Sequence, residues 1–323
     1  MPQKKRPITA EDLYRLETLS DARISPDGNT VVYRLQRVDK KTEKKYGNLW
    51  VVPIGGGGPR QFTQGDQSDS SPRWSPDGKS IAFLSNRADK DKPPQVFLLP
   101  FDGGEARKLT GIDGEIDSLS WSPDGRRLLC TVRKTDTEVL EREKDEQKKK
   151  LGVVFRRYDR LFYKLDGYGY LPQERVHIWV IDARTGKGRQ LTDHPVWDEL
   201  DPAFSPDGRQ IAFVSNRLNE PDQNPDAVDL FVMSASGGEP QLIKTPIGPK
   251  SQPSYSPDGN WLAYYGQEGE GQGFRNYGLW VVPVDGSKPA KNLTQKFDLH
   301  ASSMVINDVG SPEQMCPTWS NDG

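Results

Sequence analysis

The sequence has two cysteines, three histidines and no long apolar run. Cys130 and Cys316 cannot build a disulfide framework or a cysteine-based zinc site. Cys130 stands in a slot that other repeats fill with Phe or Tyr, and we read it as a small buried apolar residue. No apolar stretch approaches the roughly 18 residues of a spanning helix. Met1-Pro2-Gln3-Lys4-Lys5-Arg6 runs into polar Thr9-Ala10-Glu11-Asp12, where a signal peptide would place its apolar core. A cytoplasmic protein with no membrane partner is expected. An excess of one charge is missing too. Lys and Arg total 44 against 46 Asp and Glu, and the net charge of -2 offers no general attraction to nucleic acid. Catalytic equipment is equally scarce, with no Gly-x-Ser-x-Gly elbow, no His-Glu-x-x-His and no phosphate loop. His177 opens a strand-like segment and His194 and His300 fall in loops, so without a nucleophile beside them each reads as structural. No catalytic residue, cofactor or metal site is expected.

One turn is written six times: Ser25-Pro26-Asp27-Gly28, Ser75-Pro76-Asp77-Gly78, Ser122-Pro123-Asp124-Gly125, Ser205-Pro206-Asp207-Gly208, Ser256-Pro257-Asp258-Gly259 and Ser320-Asn321-Asp322-Gly323. Pro fixes φ at the first turn position, the Asp side chain can bond the backbone two residues on, and Gly takes the φ > 0 position. An aromatic or apolar residue precedes each copy, and an apolar triplet such as Ile81-Ala82-Phe83, Ile211-Ala212-Phe213 or Leu262-Ala263-Tyr264 follows. That pattern is strand, turn, strand.

A third and a fourth strand recur behind each complete copy, as in Leu49-Trp50-Val51-Val52-Pro53-Ile54 followed by Arg60-Gln61-Phe62-Thr63. The intervening Gly55-Gly56-Gly57-Gly58 reads as a loop, because a phosphate cradle needs a helix N-terminus after it. Successive turn serines lie 50, 47, 83, 51 and 64 residues apart. Four short strands at a period of roughly 40 to 50 residues describe a β-propeller blade. The expectation is an all-β chain: five complete four-stranded blades, the start of a sixth with a first strand around residues 315–319, and a short amphipathic helix in residues 7–20. That helix would be capped by Thr9 and Asp12 and would carry Leu13, Leu16 and Leu19 as its apolar stripe. An N-terminal arm in residues 1–20 would precede a propeller in residues 21–323.

The 83-residue interval carries an insertion of about 33 residues relative to its neighbours, at about residues 134–172. Residues 135–150 are acidic early and basic late, as in an exposed helix with a favourable macrodipole, or they are disordered. Residues 153–170 alternate aromatic and basic side chains, a composition that can stack on single-stranded nucleic acid. A protruding hairpin whose aromatics pack on the blade below is favoured, because nothing else in the chain supports nucleic acid. The paired Ser85-Asn86-Arg87 and Ser215-Asn216-Arg217 read as the end of a second strand entering a loop, with a ligand role for either arginine as the alternative.

Aromatic-Ser-Pro-Asp-Gly turns, Ser-Asn-Arg segments and Leu-Trp-Val-Val-Pro third strands resemble the propeller repeats of the prolyl oligopeptidase family of serine peptidases and of TolB-like proteins. The opening Thr9-Ala10-Glu11-Asp12-Leu13-Tyr14-Arg15-Leu16 and the insertion from Tyr158 to Tyr170, leading into His177-Ile178-Trp179, resemble the acylaminoacyl-peptidase-like branch. The resemblance implies a seven-bladed propeller, here truncated, that gates small peptides. It also implies an α/β-hydrolase domain, absent from these residues, that holds the Ser-Asp-His triad. Short peptides and that domain are the expected partners, and a homo-oligomer is left open. No paired-glutamate motif of the dipeptidyl-peptidase kind is found. Arg156, Arg157 and Tyr158 are expected to border the substrate route, because loop insertions on rigid scaffolds gather function and Arg favours carboxylates. A free-standing TolB-like propeller acting as a protein-binding module is the alternative.

Overall fold

The computed structural model describes residues 6–166, 168–271, 273–302 and 315–323. The opening Met1 to Lys5 run and Gly167 of the insertion, both used above, lie outside these. The described residues hold five antiparallel sheets of four strands, each in simple chain order. The first blade comprises Thr18–Ile24, Thr30–Val38, Lys45–Pro53 and Arg60–Gln61. The second is Asp69–Trp74, Ser80–Ser85, Gln95–Pro100 and Arg107–Lys108, and the third is Gly114–Trp121, Arg127–Lys134, Val176–Asp182 and Gly188–Gln190. The fourth is Glu199–Phe204, Gln210–Ser215, Asp229–Ser234 and Gln241–Ile243, and the fifth is Lys250–Tyr255, Trp261–Gly266, Gly278–Pro283 and Lys291–Asn292. Two compact units divide between Thr110 and Gly111, blades one and two in the first and blades three to five in the second.

Each complete turn is built alike. The Gly residues of the five copies take φ of 68–75°, and each donates its N–H to the turn Ser carbonyl at 2.8–2.9 Å. Asp accepts the backbone N–H two residues on, as at Asn29 and Lys79. The serine has a role that its sequence context did not reveal. Its Oγ donates to the Asp carboxylate at 2.5–2.6 Å. The same Oγ accepts the N–H that opens the next strand at 2.9–3.0 Å. These serines are buried.

The serine bond, joined by the backbone N–H, holds Asp27, Asp77, Asp124, Asp207 and Asp258 below the ordinary carboxylate value. A depressed folded pKa gives stability that is complete above the unfolded value of about 3.9 and is lost as pH falls through the lower folded values. Urea melts across the acid range should therefore show stability flat down to about pH 4 from this source and falling below it. Ser→Ala at one turn should flatten that acid limb.

A second repeated device lies four residues before each turn serine. Asp21, Ser71, Ser118, Asp201 and Gln252 take φ of 48–54°, and the first strand shifts register against the second at each of them. These are β-bulges on an edge strand, where a following Pro72, Pro202 or Pro253 removes no ladder bond that the sheet needs. The bulges also tie blades together within each unit. Arg73 Nη1 donates to both Asp21 oxygens at 2.9 Å. Gln252 gives Asp201 its backbone N–H at 2.9 Å and its side-chain amide at 2.8 Å.

The cores lie between neighbouring blades, and alternate residues of one strand serve opposite interfaces. Phe213 joins Leu129, Ile178 and Val180 of blade three, whereas Ala212 and Val214 join Leu262, Tyr264 and Trp280 of blade five. In the first unit Phe83 and Ile81 pack with Val32, Leu49 and Val51. Cys130 is buried as expected, and burial pushes its thiol pKa up.

Residues 315–319, expected to be the first strand of a sixth blade, form no strand, and only the tryptophan contact of a blade opening is kept there. Trp319 Nε1 donates to the Ser254 carbonyl at 3.3 Å, just as Trp74 Nε1 donates to the Arg23 carbonyl at 3.1 Å. Gly323 N–H closes the sixth turn on the Ser320 carbonyl.

The helix expected over residues 7–20 is shorter, a 3-10 turn at Ala10–Arg15. Its cap forms, with Thr9 N–H on Asp12 at 2.8 Å. Arg6 and that N–H hold the Asp12 pKa at about 2. Leu13, Leu16 and Leu19 are more than half exposed, so they make no buried stripe. Leu16 turns extended and Thr18 and Leu19 pair with Gln36 and Leu35. A ladder with a nine-residue partner strand outcompetes a helix too short to escape its nucleation cost.

Candidate functional site

The insertion leaves blade three after Lys134 and returns at Val176. Residues 135–150 form two helices, Thr137–Lys144 and Glu146–Leu151, because Asp145 stops the first and caps the second through Gln147 and Lys148 N–H at 2.9 and 3.0 Å. The aromatic part includes a hairpin, Lys164–Leu165 against Gly169–Tyr170. Asp136 anchors the return by accepting Gln173 and Glu174 N–H at 3.1 and 2.9 Å.

Beneath the insertion, blades three and four enclose a cleft of about 490 Å³. Blade three contributes Glu115, Asp117, Thr131 and Arg133, and blade four contributes Asp198, Leu200, Asp201 and Val214. The insertion supplies Arg160, Phe162, Leu165, Tyr168 and Leu171. This volume and mix, apolar walls with a few convergent polar groups, suit a small-ligand or peptide site. Four of its charged side chains are paired with one another. Arg175 pairs with Asp198 at 3.1 Å, and Asp198 also takes Val176 N–H at 2.7 Å. Arg160 pairs with Asp222 at 3.2 Å. Burial works against the Asp222 charge, but the Phe162 N–H and Arg160 outweigh it and hold the carboxyl below its ordinary value. Burial pushes the Asp201 carboxyl up despite its bonds from Gln252, with nearby Asp117 adding to the rise. The Tyr168 hydroxyl bonds Glu115, and burial with that bond raises the phenol. Arg133 lies over the Tyr168 ring.

Arg156, Arg157 and Tyr158 are exposed on the insertion and do not line this cleft. The Arg156 guanidinium lies 4.2 Å from the Tyr170 ring centroid, Arg157 pairs with Asp159, and Tyr158 touches the Tyr163 and Tyr170 rings. The three are thus neighbours on one aromatic and basic surface. Arg160, Phe162 and Tyr168, which do face the cleft, lie in the segment singled out for its composition, but nothing in their spacing distinguished them from Arg156 or Tyr158.

The Ser-Asn-Arg arginines are structural. Arg87 reaches buried Asp69 at 2.8 Å over the Phe83 and Phe97 rings, and Arg217 reaches buried Glu199 at 3.5 Å over Phe213 and Phe231. Both carboxylates stand six residues before a turn serine, a signal present in the sequence. His177, also read as structural, bonds Glu199 through Nδ1 at 2.9 Å, while His194 and His300 stack on Trp197 and Tyr277.

A sequence model of the TolB beta propeller domain matches residues 17–153. The uncharacterized peptidase YuxL of Bacillus subtilis (strain 168) is 33% identical over 321 residues, which span 98% of this chain and 48% of that protein. A dipeptidyl-peptidase 5 of Porphyromonas endodontalis is 26% identical over 275 residues, 82% of this chain and 39% of its own. Among solved structures, the acylaminoacyl peptidase of Pyrococcus horikoshii superposes with a TM-score of 0.65 at 20% identity, over 88% of this chain and 40% of that one. The β-propeller domain of the Trilobed protease from Pyrococcus furiosus gives 0.57 at 18% identity, over 87% of this chain and 73% of its own. These structural likenesses bear on the fold. The chain spans about half the length of the YuxL peptidase and less of the dipeptidyl-peptidase.

Proposed function

We propose that this chain, whose residues 17–153 match a TolB beta propeller model and which is similar along nearly all its length to a peptidase, gates substrate in a serine oligopeptidase of the acylaminoacyl-peptidase-like branch. The propeller restricts entry to small peptides, and an α/β-hydrolase domain outside these 323 residues performs the chemistry. The observation that carries this reading is the 33% identity along 98% of the chain to a peptidase twice as long. Consistent with it, no Gly-x-Ser-x-Gly elbow stands in the sequence. Acyl transfer needs a nucleophile, a base and a group to orient the base.

In this role the insertion borders the substrate route, with Arg156, Arg157 and Tyr158 offering guanidinium and aromatic contacts to peptide carboxylates and side chains. The 323-residue chain should give no burst of product from an activated ester, whereas the full-length protein should. In the full-length protein, Arg157→Ala and Tyr158→Ala should each lower kcat/KM for peptides several-fold, with the loss differing between short and long substrates. A burst from the chain alone that one Ser→Ala change abolishes would end the gating reading. Values of kcat/KM unchanged across all peptide lengths would remove the three residues from the route. A free-standing, TolB-like protein-binding module would show neither activity in any context.

A further inference from the structure

The segment that walls the cleft with Arg160, Phe162, Leu165, Tyr168 and Leu171 has little structure of its own. Its ladder is two residues against two, and a lone two-stranded hairpin is marginal in water. Its apolar side chains do not sink into a core, since Leu161, Phe162 and Leu165 all stay exposed. Polar ties hold it instead. On the blade-four side the Asp222 carboxylate takes Arg160 Nε at 3.2 Å, Arg160 Nη2 at 3.4 Å and Phe162 N–H at 3.0 Å. The Arg160 and Asp222 side chains are each only 12% exposed. On the blade-three side Tyr168 bonds Glu115 and lies beneath the Arg133 guanidinium.

The two ends of the Asp222 tie differ in rigidity. Asp222 sits on the turn Pro221–Gln223, which Asn216 Nδ2 pins by donating to the Pro221 and Asn224 carbonyls at 3.3 and 2.7 Å. Asn216 directly follows the second strand of blade four. One partner is therefore a fixed post and the other a loosely built strap. We infer that Asp222 is the post of a latch: with Arg160 and Phe162 engaged the strap stands over the cleft, and with them released it swings away and admits larger peptides. The part about peptides rests on the substrate-gating reading, whereas the latch can be measured with no substrate present.

Asp222→Asn keeps an oxygen for the Phe162 N–H but removes the charge, and Arg160→Gln removes the opposite partner. Tryptic cleavage after Lys164 reports strap opening when reclosing outpaces cleavage. Both variants should be cut about tenfold faster than the parent chain at neutral pH. Hydrogen exchange in Glu199–Phe204 and Gln210–Ser215 should stay unchanged. Cleavage no faster in either variant overturns the latch, and so does faster cleavage accompanied by lost protection throughout blade four, because the pair would then be a staple of the blade. If the latch variants open and yet the full-length protein keeps its kcat/KM for long peptides, the latch stands and the substrate-route reading of the cleft falls.

Discussion

Glu199→Ala should cost about 3–5 kcal/mol, the range for removing one partner of a buried ion pair. Glu199 is 1% exposed and serves two cations or donors at once, Arg217 through one oxygen and His177 through the other. Arg217 is lodged among Trp197, Phe213 and Phe231 with its Nε already lacking an acceptor, so it cannot follow the lost charge into water without leaving those rings. Alanine would leave a guanidinium and an imidazole facing an apolar void. Glu199→Gln, which keeps an oxygen for His177, should lose clearly less. Urea denaturation of both variants, read together with exchange in blades three and four, measures the difference. A loss for Glu199→Ala of the size seen for exposed pairs, under about 1 kcal/mol, would mean that water reaches Arg217 in the native state.

The same pair shows where the sequence was informative and where it was silent. Turn chemistry is local: Pro, Asp and Gly at fixed offsets dictate a reversal whatever surrounds them, so all five complete blades and the sixth turn were legible. So was the insertion, because it breaks the period. Partnerships across strands were not. Asp69 with Arg87 and Glu199 with Arg217 are 18 residues apart in each case, and a one-dimensional pattern gives both members without saying that they meet. The bulges were hidden for a different reason. Asp21, Ser71, Ser118, Asp201 and Gln252 share a backbone conformation but no one side-chain type, and the proline that follows three of them does not by itself announce a left-handed residue before it. In the N-terminal segment the leucine spacing fits a helix, and the pairing strand that wins Leu19 lies beyond any local window. The cleft draws on blade three, blade four and the insertion together, which no stretch of sequence places side by side.

Phe213→Ala should be the most damaging of the large-to-small core changes in the second unit, at about 3–5 kcal/mol. Phe213 holds the third position of an apolar triplet, and across the sheet it faces Phe231, their ring centroids 5.6 Å apart. That cross-strand position is filled by a large pair in blade after blade: Tyr33 with Trp50, Phe83 with Phe97, Tyr264 with Trp280. Blade three alone uses a small member, Cys130, and sets Trp179 opposite it, the small and large partners dividing the space. Phe213 has no such compensating tryptophan. Its removal would open a cavity beside Leu129, Ile178 and Met233 and would take one face away from the Arg217 guanidinium. The transfer loss, the unfilled volume and the weakened arginine seat all act in one direction. Phe213→Leu should recover much of the loss by refilling volume, while leaving the cation without its ring. Equilibrium denaturation of the two variants, with exchange at Ile178 and Phe231 as the local readout, checks this. Equal stability for Phe213→Ala and Phe213→Leu would show that the ring's stacking, and not its volume, holds blades three and four together.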